Sequence, residues 1–307
     1  MQAFAHCPAT TLSGIRYLLT DIDDTLTREG RLDASTLAAL ERLEAAGIKV
    51  IPVTGGCAGW CDHIARAWPV AAVIGENGAF AFQRQGQRIL TTWWEDEARL
   101  RARQRHVMTV ARQLLLNHPQ AALAQDQPFR YADVAVDHCQ AVSPLSQAQI
   151  HAIIAGFTAA GIQARASSIH INAWQGDFDK ARMAVRVLTE TFGLDRMQLE
   201  QEVMYVGDAP NDAPMFATFR HTVGVANILK HRAALGWEPA WLTRHGHGAG
   251  VEEIADALLG SHAAIDSEEQ PTQAFTRVFE AHEGLAHQEA VDTTVTHLRH
   301  IFTGVDT

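Results

Sequence analysis

Four aspartates and a threonine stand at the ends of three short apolar runs, and a lysine lies between the second run and the third. Tyr17-Leu18-Leu19-Thr20 leads into Asp21-Ile22-Asp23-Asp24-Thr25. Ile48 to Val53 leads into Thr54-Gly55-Gly56, and Val203 to Val206 leads into Gly207-Asp208-Ala209-Pro210-Asn211-Asp212. Runs of this length and β-branched content read as buried parallel strands, and open α/β sheets carry their chemistry at the carboxyl ends of such strands. Neighbouring strand ends would gather Asp21, Asp23, Thr54, Asp208 and Asp212 in one pocket. Like charges repel strongly at that separation, so four carboxylates call for a cation. An all-oxygen, carboxylate-rich donor set suits Mg²⁺.

The DxDxT motif from Asp21 to Thr25, the strand-ending Thr54, Lys180 downstream and the GDxxND motif from Gly207 to Asp212 occur in this order. Together they resemble the four motifs of the haloacid dehalogenase (HAD) superfamily of phosphotransferases, over roughly residues 15 to 260. Phosphoryl transfer needs an in-line nucleophile, neutralised equatorial oxygens and a proton for the leaving group. Asp21 is the candidate nucleophile, forming an aspartyl-phosphate. Asp23 is the candidate acid for the departing alkoxide, and then the base for the hydrolytic water. In the resembled family a carboxylate at this second position marks phosphatases and phosphomutases. Thr54, with the amides that follow it from Gly55, and Lys180 would hold phosphate oxygens. Asp21, Asp208 and the backbone carbonyl of Asp23 are the expected Mg²⁺ ligands, with Asn211 and Asp212 orienting ligands or waters. One departure stands out: Gly56 occupies a place where related patterns often carry a basic residue. The bland alternatives are a surface Lys180, and Gly207 to Asp212 as a helix N-cap with acidic first-turn residues.

These residues need a scaffold. Leu37, Leu40, Leu43 and Ala46 recur at helical spacing and Gly47 closes their helix. A strand to Thr54, a helix from about Trp60 to Ala67 and a strand from Val70 to Ile74 complete a β-α-β-α-β pattern. The predicted fold is therefore α/β, a doubly wound parallel-sheet (Rossmann-like) core in two parts, residues 1–82 and 176–260. Residues 83–175 read as an inserted α+β domain. It is opened by a hairpin (Phe80 to Phe82, Arg88 to Leu90) that leads into a helix at about 95–117. A strand at 133–137, a helix at 146–160 and strands near 163–166 and 169–173 follow. Its place between the second and third motifs resembles a type II cap. The Glu76-Asn77-Gly78-Ala79 stretch and the one from Ser167 to Lys180 look like subgroup IIB, which includes sugar-phosphate phosphatases and phosphomannomutases. Cap candidates for binding substrate are Arg130, Asp133, Asp137, His170 and Asn172, with Trp93, Trp94 and Trp174 as candidate stacking rings. Residues 261–307 read as a polar linker (to Gln273) and a helical extension with two apolar stripes. Phe275, Val278, Phe279 and His282 form the first stripe, and Val291, Val295, Leu298 and Phe302 the second.

A hydrophobic content of 47%, a charged content of 20% and a net charge of −10 describe a soluble globular chain and argue against nucleic acid as a partner. No apolar run is long enough to span a membrane and the first residues lack a signal-peptide pattern, so the expected address is cytoplasmic. Cys57, Cys61 and His63 could suggest a soft-metal site, but a loop and first helical turn is the simpler reading. The expected activity is a Mg²⁺-dependent phosphatase acting on a small phosphorylated metabolite, foremost a sugar phosphate. A phosphomutase, a non-catalytic sugar-phosphate-binding regulator, and a docking module that pairs the C-terminal helices with a second copy or another protein are the alternatives.

Overall fold

A computed structural model describes residues 1–167 and 169–280, with side chains described through Ala264. The three apolar runs are strands Tyr17–Thr20, Lys49–Pro52 and Val203–Gly207, almost wholly buried. Tyr17–Thr20 lies between the other two in a parallel six-stranded sheet, which His221–Gly224, Trp241–Leu242 and Gln2–Ala3 extend in that order beyond Val203–Gly207. Successive side chains on a strand point to opposite faces. Leu18, Val50, Met204 and Val206 pack with Leu40, Leu43, Ile64 and Val251. Leu19, Ile51, Val203 and Tyr205 pack on the other face with Met183, Ala184 and Phe216. Burial on both faces is why these strands read as continuous apolar runs rather than alternating ones.

The expected doubly wound pattern is present. Helix Ala34–Ala45 is followed by Gly47 at φ +77°, the left-handed position where glycine ends helices at least cost. Helix Ala58–Ala67 follows Thr54, and an isolated parallel bridge from Val53 to Ile74 carries the sheet on to Val73–Gly75. That strand pairs with the hairpin Phe80–Gln85 and Arg88–Trp93, whose Phe80 and Phe82 belong to the core's apolar cluster.

The inserted unit proper is a four-stranded antiparallel sheet with order Gln163–Ala166, His170–Trp174, Asp133–Asp137, Ala122–Leu123. Val134, Val136, Ile171 and Ala173 on one face cluster with Val107 and Ala111 of helix Glu97–Leu116 and with Ile150, Ile153 and Phe157 of helix Gln147–Ala159. The alternate positions Asp133, Asp137, His170 and Asn172 fall on the other face.

The chain divides at Gly260 into two units, and the second is helical through Glu280. The stretch 260–273, expected as a linker, lies within helix His247–Glu280. Polarity alone does not break a helix, and Ala, Glu and Gln, which are frequent there, are good helix formers. Most of the two apolar stripes expected further on, from His282 to Phe302, lies outside the described residues. No helix among the described residues is long and apolar enough to cross a membrane.

Candidate active site

Asp21 follows the central strand, and its amide donates to the Val206 carbonyl of the neighbouring strand at 2.9 Å, which locks the two strand ends in step. Its Oδ1 accepts from Lys180 Nζ at 2.7 Å. The same ammonium donates to Asp212 Oδ1 at 2.9 Å and is 3% exposed, which disposes of the surface-lysine reading. Burial works against the Lys180 charge, but Asp21 and Asp212 outweigh it and hold the ammonium well above its ordinary range. Asp212 is fully engaged: Tyr205 donates its hydroxyl at 2.6 Å, and the amides of Asp208 and Ala209 donate to the other oxygen. Asp212 thus positions both the lysine and the Asp208 loop. Gly207 is required there, since a Cβ would stand 2.5 Å from Asp212 Oδ2.

Negative charge is in surplus. Burial pushes the Asp21 carboxyl up to about 8 despite Lys180, with Asp212 and Asp23 adding repulsion. Burial, then Asp21 and Asp212, pushes Asp208 up to about 9, and burial raises Asp23 as well. Oxygens of Asp21, Asp208 and Asp212 lie within 4.8 Å of one another, the one group among the described residues able to hold a metal ion. Because Asp212 is spent on four donors, Asp21 and Asp208 are the carboxylates left to ligate. Asn211 Oδ1 is buried without any hydrogen-bond partner. An orphaned acceptor costs about 1–3 kcal/mol, and a hydrated cation beside Asp208 would supply its donor. The donor set fits Mg²⁺.

Asn227, which carries no motif, and His247, whose sequence cluster reads by default as a solvated loop, stand behind Asp208. Asn227 Nδ2 donates to Asp208 Oδ2 at 2.8 Å and to the Asp24 carbonyl at 2.9 Å, while its Oδ1 accepts from the His247 amide. His247 Nδ1 lies 3.0 Å from that same carbonyl. Thr25 donates to Asp208 Oδ1, so both oxygens of Asp208 are oriented. The available signals were the tight His245-Gly246-His247 cluster and the position of Asn227 just past a strand end.

Thr54 is buried beside the central strand end, its Oγ1 accepting from the Gly56 amide. The Gly55 carbonyl accepts from Arg130 and Asn172 of the insertion. Asp21, Asp23, Thr54, Gly55, Asp208 and Asn211 all line one cavity of ≈ 240 Å³. Of the cap candidates, Arg130, His170 and Asn172 line it too, whereas Asp133 and Asp137 do not. Asp133 is fully buried, accepting from Arg130 at 2.8 Å and Asn172 at 2.9 Å; Asp137 accepts from the amides of residues 139–141 and shapes a turn. Both aspartates lie on the expected sheet face, but their charge is consumed by neighbours. Arg130 is itself held by a two-point contact with Asp126. Glu76, buried and with φ +44°, accepts from the amides of Ala58, Tyr131, Ala132 and Asp133 and so ties the insertion to the core.

The expected stacking rings are elsewhere. Trp174 is buried and donates to the Phe178 carbonyl, Trp93 packs on Phe80 and Tyr131, and Trp94 donates to Asp177. Trp60 and Trp68 line the cavity instead. Cys57 and Cys61 are buried, their thiols pushed up by burial, and they belong to no metal-binding group among the described residues.

Residues 18–97 match the family of haloacid dehalogenase-like hydrolases. A search of curated proteins found no match. Solved structures share the fold. A Thermoplasma acidophilum protein, 0175, is 17% identical with a TM-score of 0.61, over 80% of this chain and 98% of its own. A sucrose-phosphatase from Synechocystis, solved with sucrose and phosphate, is 15% identical with a TM-score of 0.57, over 80% and 98%. The HAD subclass IIB sugar phosphatase BT4131 is 15% identical with a TM-score of 0.52, over 79% and 97%.

Proposed function

We propose that this haloacid dehalogenase-like protein is a Mg²⁺-dependent phosphatase that hydrolyses a small phosphorylated metabolite, a sugar phosphate, through an aspartyl-phosphate. One observation carries the reading: Asp21, paired to a buried lysine at 2.7 Å, and Asp23, two residues on, line a single cavity with Thr54 and Asp208. In this reading Asp21 attacks phosphorus, and Lys180 and Thr54 hold the equatorial oxygens. Asp23, whose carboxyl burial raises, protonates the departing alkoxide and then takes a proton from the water that cleaves the acyl-phosphate. Mg²⁺, held by Asp21, Asp208 and the backbone carbonyl of Asp23, would neutralise charge on the phosphoryl group and the clustered carboxylates. Arg130 and Asn172 hold the Thr54–Gly56 loop, while the rest of the cap wall excludes water. The cavity, at ≈ 240 Å³, falls below the roughly 300–1,000 Å³ of drug-sized ligand sites, which favours a small monophosphate. The sugar-phosphatase names of two structural neighbours point the same way.

Phosphate release from sugar, polyol, glycerate and nucleotide monophosphates, with Mg²⁺ and with EDTA, tests this. Asp21→Asn is expected to abolish turnover in a folded protein. Asp23→Asn is expected to lose at least about 10²–10⁴-fold, the usual contribution of acid–base catalysis. Full activity in EDTA would remove the metal, and near-wild-type rates in Asp21→Asn would remove the covalent route.

A further inference from the structure

Trp60, Ile64 and Trp68 follow one another four residues apart along helix Ala58–Ala67 and its C-cap, so they share a face, and all three line the cavity. Trp60 is 58% exposed, its ring edge-on to that of His63. A large aromatic ring left in water beside a catalytic centre offers a flat apolar surface to whatever enters. This wall belongs to the core, next to the Thr54 loop, and not to the cap.

The charges around the same cavity leave no free cation among the described residues. Its lining carboxylates are Asp21, Asp23, Asp126 and Asp208, and its lining arginine is Arg130. Arg130 is spent on Asp126, Asp133 and the Gly55 carbonyl. His170 is no cation at neutral pH: burial, then Arg130, holds it down to about 4, and its Nε2 is engaged with Gln140 at 3.0 Å. Among the described residues, then, the one cation that lines the cavity is paired, and four carboxylates line it against that single arginine. A second anionic group on the substrate would lose its hydration and meet a carboxylate.

We propose that Trp60 and the cation-poor lining select phosphomonoesters whose non-phosphate part is an uncharged ring with an apolar face, such as a neutral pyranose, and reject those bearing a second anion. This rests on the phosphatase reading. It adds which sugar phosphates the cavity takes and assigns the specificity to a core helix.

The test uses the full chain with Mg²⁺ and four esters: glucose 1-phosphate, its 2-amino analogue, its C6-carboxylate analogue, and glycerol phosphate as the ring-free reference. The carboxylate analogue is expected to have a kcat/KM at least about tenfold below that of the neutral sugar, since like-charge juxtaposition is costly. The amino analogue should stay within about threefold, because a lining with more carboxylates than cations tolerates a cation. Trp60→Ala should raise KM for glucose 1-phosphate roughly two- to tenfold more than for glycerol phosphate, the range of an aromatic stacking contact. Trp60→Phe should restore most of that ratio. Equal kcat/KM for the carboxylate and neutral sugars, or equal KM changes for the ring and ring-free esters, would overturn the proposal while leaving a phosphatase. Silence toward all four esters would instead overturn the phosphatase reading, and this inference with it.

Discussion

Asn227→Ala isolates the part of the site that carries no motif. The side chain makes three hydrogen bonds: to Asp208 Oδ2 at 2.8 Å, to the Asp24 carbonyl at 2.9 Å and from the His247 amide at 2.9 Å. At a net contribution of about 1 kcal/mol each, their loss would cost about 3 kcal/mol. For a unit of this size that lowers Tm by about 6–12 °C and leaves the protein folded at 25 °C. Under the phosphatase reading the larger consequence is for metal binding. Asp208 loses the donor that fixes one of its oxygens, and Thr25, at 3.2 Å, is left to orient it alone. Groups that orient metal-holding carboxylates are worth about 10–100-fold in metal affinity or activity. Phosphate release titrated with Mg²⁺ is therefore expected to half-saturate at about 10–100-fold higher Mg²⁺ than in the wild type, with most of kcat regained at saturation. Asn227→Asp should be worse, because it sets a carboxylate against Asp208. An unchanged half-saturating Mg²⁺ with a depressed kcat would refute the reasoning, since Asn227 would then serve the loop and not the metal.

Arg130→Ala should destabilise far more than it retunes specificity: it leaves Asp133 buried without its cation, which typically costs about 3–5 kcal/mol, and a loss of Tm under about 4 °C would contradict this. His170 has its folded pKa held below the ordinary 6.5, at about 4, so the stability it contributes is fully present above about 6.5 and is lost as pH falls through about 4. The gap corresponds to about 3 kcal/mol, so the Tm of His170→Asn relative to the wild type should rise as pH falls from about 6.5 to about 4; a Tm difference that stays constant over that range would show that His170 does not carry it. Gly207→Ala, whose Cβ would stand 2.5 Å from Asp212 Oδ2, should cost most of the turnover by displacing Lys180; unchanged kcat would mean that the loop yields without moving Asp212.

What the sequence showed follows from which forces are local. Tyr17–Thr20, Lys49–Pro52 and Val203–Gly207 are buried on both faces, so they read as unbroken apolar runs, and the rule that chemistry sits at strand carboxyl ends places Asp21, Thr54 and Asp208 together. The strand Asp133–Asp137 was equally legible, since Asp-Val-Ala-Val-Asp alternates between the helix-packed face and the other. Partner choice was not legible. Asp133 and His170 have the same polar pattern on the same face, yet Asp133 is consumed by Arg130 and Asn172 while His170 reaches the cavity. Asn227 obeys the same strand-end rule as Asp208, standing just past His221–Gly224, but what it holds is the carbonyl of Asp24, 203 residues away. The tryptophans failed for a similar reason: an aromatic side chain does not announce whether its ring fills the core, as Trp174 does, or a cavity wall, as Trp60 does.

The arrangement around Gly55 explains why so many polar cap residues prove to be supports. Its carbonyl accepts from Arg130 and from Asn172, both carried by the insertion. A Cβ there would meet Asn77 and Asn172 at 3.2 to 3.3 Å, so the insertion side of the loop is filled. A trans peptide points its carbonyl and its following N–H in opposite directions. Drawing the Gly55 carbonyl toward the insertion therefore turns the Gly56 N–H away from it, toward Thr54 Oγ1, to which it donates at 2.9 Å. The conformation of the Thr54–Gly56 loop is thus held by cap side chains. Glu76 keeps those side chains in place by accepting amides from both units at once, Ala58 in the core and Tyr131 to Asp133 in the insertion. A cap substitution at Arg130 or Asn172 is accordingly expected to act through the Gly55–Gly56 peptide plane. Substitutions at these positions should lower kcat alike for large and small esters, whereas loss of Trp60 should separate them.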